Sequence, residues 1–175
     1  MTSPEEDLRF LKEAVPQLQD YLLSNEMYWP LSGSLPRLTP GSLLLTLARL
    51  HADSAVDIQR LDAQVAIVRT KWRAALEKKA ARELANRLRL WSQFLSDYID
   101  APDQNLESYR TEVRGRAILQ LLLAELPDAP ESKALADLDD VLRSRLVPGE
   151  FLWEPELQSI FPSSDFWFLY GRLRQ

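Results

Sequence analysis

Residues 54–99 read SAVDIQRLDAQVAIVRTKWRAALEKKAARELANRLRLWSQFLSDYI, forty-six positions with neither glycine nor proline. These two residues punctuate helices most strongly, so their absence over such a length is the first sign of an all-α fold. Ile58, Leu61, Val65, Val68, Trp72 and Leu76 recur at intervals of three and four, as do Leu84, Leu88, Trp91, Leu95 and Tyr98. That spacing predicts helix, with two apolar stretches not quite in phase. A single helix of this length would measure about 69 Å, more than the diameter of a compact domain. It must therefore project, pair with another chain, or bend. Leu76, Ala80, Leu84 and Leu88 are spaced by four throughout, a stutter that marks a place for the bend.

Helical patterns continue on both sides. Ser3, Pro4 and Glu6 form a capping-box start, followed by an apolar stripe through Leu8, Leu11, Val15, Leu18 and Leu22. Pro16 within that stripe predicts a kink or two abutting helices. Residues 25–40 (NEMYWPLSGSLPRLTP) form a proline-rich loop too apolar for a solvated linker, and Thr39–Pro40 opens a helix through Leu43, Leu47 and Leu50. Further helices are expected over about 106–126, with Gly115 a tolerated weakness or a close contact, and through Leu135, Leu138, Leu142 and Leu146. A short helix is expected at Pro155, and Ser164 and Asp165 are candidate caps of a last turn closed by Gly171.

The organisation is thus one helical domain over 1–175: an N-terminal helix (1–24), the apolar loop (25–40), the main helices (41–146) and an aromatic segment (147–175). The expected fold is an all-α bundle of about five main helices. One of these is unusually long, and the aromatic segment packs back on the bundle. With 46% apolar and 27% charged residues the composition is that of a globular chain, and five glycines are few for a sheet protein.

The chain holds no cysteine, which excludes disulfides, thiolate metal sites and cysteine nucleophiles. A lone histidine, His51, supplies neither a two-imidazole metal site nor the paired Glu-x-x-His motifs of di-metal bundles, and its place at a helix end favours a structural role. The SGSLP and PGSLLL stretches lack the spacing of a phosphate loop or nucleophile elbow. Asp97, Asp100 and Asp103 do not follow a calcium-loop pattern, and Asp137, Asp139 and Asp140 read as a solvated helix face. These absences point to a non-catalytic protein with no cofactor and no metal. MTSPEEDLRF is acidic where a signal peptide is basic, and no apolar run approaches the roughly 20 residues of a membrane span. The expected location is the cytoplasm.

Two features remain. The chain carries a formal charge of −5, yet Arg69 to Arg89 contains eight basic residues and two acidic ones. On a straight helix Arg60, Lys71, Lys78, Arg82 and Arg89 fall within about 20° of one line, opposite the apolar side. That stripe is a solvated face or a recognition face for an acidic protein partner. Nucleic acid is disfavoured, because Trp72 and Trp91 lie on the other side and cannot stack bases beside it. Glu83–Arg87 and Arg73–Glu77 stand in the spacing of intrahelical pairs.

The second feature is the terminal stretch FPSSDFWFLYGRLRQ (161–175). Three buried rings would contribute about 5–9 kcal/mol, comparable with the net stability of a whole domain, so the tail is expected to fold back as core. Its expected partners are Met27–Pro30 and Phe151/Trp153. Tyr28, Trp29, Trp153, Phe166, Trp167 and Tyr170 are candidates for a pocket that takes a small molecule or peptide. A membrane-surface role is disfavoured by the acidic charge. The leading expectation is a protein–protein interaction or scaffold protein that uses the long helix for self-association or partner docking. A binder with a pocket among the aromatics comes second, and a nucleic-acid-associated protein third.

Overall fold

The computed structural model describes residues 3–52 and 57–174. Among them are seven α-helices and one two-stranded sheet, so the protein is an all-α fold with a small β element. The residues form two compact units, Met1–Glu83 and Leu84–Gln175.

The first unit is built on α1 (Pro4–Leu23), α2 (Pro40–Ala52), α3 (Gln59–Lys71) and the beginning of α4 (Arg73–Asp100). The Ser3 hydroxyl accepts from the Glu6 amide at 3.2 Å and the Glu6 carboxylate accepts from the Ser3 amide at 3.0 Å, the reciprocal cap expected at this end. α1 runs unbroken through Pro16, and both Pro16 and Lys12, whose carbonyl loses its amide partner, are exposed. The bond that Pro16 removes thus falls on the solvent side of the helix, where an unpaired carbonyl costs least. Phe10, Leu11, Val15 and Leu18 of α1 share a core with Leu43, Leu47 and Leu50 of α2 and with Ile58, Val65 and Leu76. Asp7 and Arg49 bridge α1 and α2 as a buried ion pair at 2.7 Å.

The loop between α1 and α2 is packed, as its apolar content requires. Trp29 and Leu38 pair their backbones, the Trp29 indole donates to Gln17, and the Tyr21 hydroxyl donates to the Met27 carbonyl. The Ser32 hydroxyl and amide both donate to Glu13, which holds that carboxyl below its ordinary range. At its end the Thr39 hydroxyl accepts from the Ser42 amide at 3.0 Å and donates to Glu83 at 2.7 Å.

The long helix expected over 54–99 is two helices. Its expected beginning at Ser54 lies outside the described residues. Trp72, with φ −115° and ψ 33°, separates α3 from α4. The break costs little backbone bonding: the Trp72 amide still donates to Val68, and Leu76 donates to the Trp72 carbonyl. The bend therefore falls one turn before the run spaced by four, not within it.

The second unit holds the rest of α4, α5 (Pro102–Asn105), α6 (Tyr109–Glu125), α7 (Glu131–Arg145), β1 (Leu146–Phe151) and β2 (Tyr170–Leu173). α7 ends where Leu146 turns extended, and the VPGE stretch that follows (147–150), despite its proline and glycine, is part of a strand. β1 and β2 are antiparallel, with Leu146 opposite Leu173, Pro148 opposite Gly171 and an irregularity before Phe151. Gly171 is thus a strand residue and closes no helix. The last helical turn (Trp167–Leu169) starts after Phe166 without a side-chain cap, so Ser164 and Asp165 do not cap it. The expected short helix at Pro155 is a single 3₁₀ segment.

The tail packs back as core. Phe161, Phe168 and Leu169 are fully buried, and Phe166 and Leu173 nearly so. Rings meet edge to face along a chain: Trp153–Phe161 at 5.1 Å, Phe161–Phe166 at 4.9 Å and Phe166–Phe168 at 5.9 Å. Such geometry sets the positive edge of one ring on the negative face of the next.

Candidate binding surfaces

The five residues of the basic stripe are all exposed. They do not lie on one straight helix, because Arg60 and Lys71 belong to α3 while Lys78, Arg82 and Arg89 belong to α4. Lys71 lies 5.4 Å from the Trp72 ring centre, Arg82 donates to the Asn25 carbonyl, and Arg89 donates to Asn86. The Arg73–Glu77 pair forms as its spacing predicts, at 2.8 Å.

On α3 the burial is one-sided and slight. Val65 is the helix's one buried residue, and Ile67 stands 65% exposed. At about 100° per residue, Arg60, Ile67 and Lys71 fall within roughly 40° of one another on the outward face. A bulky apolar side chain is therefore flanked by two cations.

Sequence reasoning missed Lys79, which is only 5% exposed. Its ammonium donates to the Glu26 carbonyl and the Ser24 hydroxyl and lies 4.4 Å from the Tyr21 ring centre, closing the C-terminal end of α1. Burial, with help from Arg82, lowers its pKa. Lys79, Lys78 and Arg82 line a small cavity of about 250 Å³ with Leu22, Ser24 and Asn25.

The candidate aromatic-pocket residues belong to both units. Trp153, Phe166, Trp167 and Tyr170 do come together, through Phe151, Phe161 and Phe168. Trp29 belongs to the first unit, where its ring meets Tyr21 at 6.2 Å, and neighbouring Tyr28 is 37% exposed. Trp29 stands five residues past the Ser24 cap of α1, and backbone pairing with Leu38 holds it beside Tyr21. In the second unit the rings contact one another directly, and two cations cover them. Arg116 lies 4.3 Å above Phe168 and Arg143 lies 3.7 Å above Trp167. Asp139, expected to be solvated, instead accepts from Arg116 Nε and Nη2 at 2.8 and 2.7 Å.

Open space lies beside the cluster. A groove of about 690 Å³ runs between the start of α6 and the β1–β2 hairpin. Leu106, Val147, Leu152 and Leu173 supply its apolar walls, and Arg110, Arg172, Arg174 and Glu107 its charges. Gly171 makes the hairpin wall possible: at φ +155° its missing Cβ would stand 2.4 Å from the Val147 carbonyl oxygen. Alternation in GRLR was the available signal. Gly171 and Leu173 are buried while Arg172 and Arg174 are exposed, the period of a strand.

His51 closes the last turn of α2 with Nε2 3.6 Å from Asp62, a half-exposed pair. Among the described residues no three His, Cys, Asp or Glu side chains gather as a metal site, and no helix is long and apolar enough to cross a membrane. No protein-family model, curated protein or solved structure matches the chain.

Proposed function

We propose that this is a non-catalytic interaction protein that docks an acidic, amphipathic helix of a partner protein on the outward face of α3. The observation that carries the reading is Ile67, 65% exposed and flanked on its own face by Arg60 and Lys71. Large apolar side chains at the centre of a charged rim are what a docking helix buries, while the cations select an acidic partner and speed encounter. The helix itself supports the reading. Thirteen residues are marginal on intrinsic propensity alone, and α3 turns only Val65 fully and Leu61 and Val68 partly to the core, so a second helix laid along its outward face adds burial.

Site-specific photocrosslinking in the native host tests this. A benzoylphenylalanine at position 67 should give a discrete adduct that disappears when Arg60→Glu and Lys71→Glu are added. The adduct's mass separates a partner protein from a second copy of this chain. No adduct beyond that obtained from the exposed control position Glu156, or one indifferent to charge reversal, would remove the reading.

A further inference from the structure

We infer that the groove between α6 and the hairpin is a binding site for a small anionic amphiphile, an apolar tail carrying a carboxylate or phosphate head. This goes beyond the α3 docking face and uses none of its residues. The groove's volume, about 690 Å³, lies within the range of small-molecule sites. Its walls are aliphatic at Leu106, Val147, Leu152 and Leu173, and three arginines stand at it against a single acid, Glu107.

The arginines are the telling part. Arg172 lies on β2 and Arg174 just past its end, two apart and both exposed, whereas Arg110 comes from the first turn of α6. Residues far apart in sequence thus bring three guanidinium groups to one apolar groove. Two exposed cations elsewhere pair with an acid one turn away, Arg73 with Glu77 and Lys133 with Asp137. Among the described residues Arg110, Arg172 and Arg174 have no such side-chain partner, although acids outnumber bases in the chain by 26 to 21. A guanidinium presents parallel N–H groups that match a carboxylate or phosphate in two-point contact. The aliphatic walls then select a ligand with a tail over a free ion. Nucleic acid fits poorly, because Tyr109, the one aromatic lining residue, is buried to 3% exposure and offers no face for stacking.

The test is calorimetric titration of the full chain with decanoate and with decyl phosphate below micelle-forming concentration. Saturable one-to-one binding is expected, about tenfold or more tighter than that of decan-1-ol, which has the tail without the charge. Acetate and inorganic phosphate, heads without tails, should not saturate, and the tighter of the two amphiphiles identifies the head group. The double variant Arg172→Ala/Arg174→Ala should weaken binding by about tenfold or more. Lys78→Ala/Arg82→Ala, the same change in charge in the other unit, should leave it unchanged. Both variants alter exposed side chains, and unchanged circular-dichroism melting confirms that they fold. No saturable binding of either amphiphile, equal binding of decan-1-ol, or equal loss in the two double variants overturns the inference. Binding of an acidic decapeptide without binding of either amphiphile also overturns it, in favour of a peptide site.

Discussion

Arg116 holds Asp139 with two hydrogen bonds, at 2.8 and 2.7 Å, while its guanidinium lies 4.3 Å above the ring of Phe168. One side chain of α6 therefore ties α7 and the aromatic tail together. Arg116 is only 2% exposed, so its charge depends on Asp139 for compensation. Replacing Asp139 by alanine should lower stability by about 3–5 kcal/mol in urea denaturation, the usual cost of orphaning a buried charge. The double variant Arg116→Met/Asp139→Leu should recover most of that loss. A single variant as stable as the parent would show that the pair is not structural.

Phe168 itself is fully buried. Truncation to alanine should cost about 3–5 kcal/mol, from lost transfer energy and the cavity left behind. Chemical denaturation followed by tryptophan emission measures it, since Trp167 adjoins the ring at 5.7 Å. A change below about 1 kcal/mol would contradict the tail's place in the core.

Gly171→Ala should destabilise the second unit by about 2 kcal/mol or more, because both φ +155° and the 2.4 Å approach to the Val147 carbonyl oppose a side chain. Thermal melting reads the loss. Gly115→Ala is the control: an added Cβ there meets nothing within 4 Å, and its helix should gain slightly.

Glu83 is 1% exposed and accepts from the Thr39 hydroxyl and the Gly41 amide, both at 2.7 Å, at the start of α2. Glu83→Ala leaves those donors unsatisfied and should cost about 1–3 kcal/mol. Glutamine, which keeps one acceptor, should fall between the two. If alanine and glutamine melted together with the parent, the carboxylate would not be serving α2.

Alkaline titration has a definite sign. Burial pushes Tyr21 and Tyr109 upward, the Glu83 charge adding to the effect at Tyr21, and burial raises Tyr170 as well. Each hydroxyl donates to a backbone carbonyl, a bond that requires the proton. Above the ordinary tyrosine value of about 10 the unfolded chain loses protons that the native state keeps, so stability falls as pH rises. Absorbance at alkaline pH should show these tyrosines ionising only as the protein unfolds. Ionisation of all five tyrosines in the native state at the ordinary value would refute it.

Much of the fold was legible because helices advertise themselves locally. The stripe Leu8–Leu22, the Ser3 cap and the Thr39 cap each depend on residues within a few positions. The break at Trp72 was not legible, since no glycine or proline marks it and the hydrogen bonds run on around it. The strands were hidden for a different reason. Leu146–Phe151 and Tyr170–Leu173 meet across a long intervening segment instead of one tight turn, and Pro148 and Gly149 in one of them read as a helix stop. Of the candidate sites, exposure of the basic residues followed from amphipathicity. The groove did not, because Arg110 and Arg172 become neighbours only through tertiary structure.

The hairpin also bears on the order in which the second unit assembles. Joining Leu146 to Leu173 closes a large loop that contains the ring cluster, and its entropy must be spent before that pairing returns anything. Helices α6 and α7, made of local contacts, have no such toll and can form early. Rate measurements on Gly171→Ala and Phe168→Ala should then show faster unfolding with nearly unchanged refolding, the mark of interactions that form after the kinetic barrier.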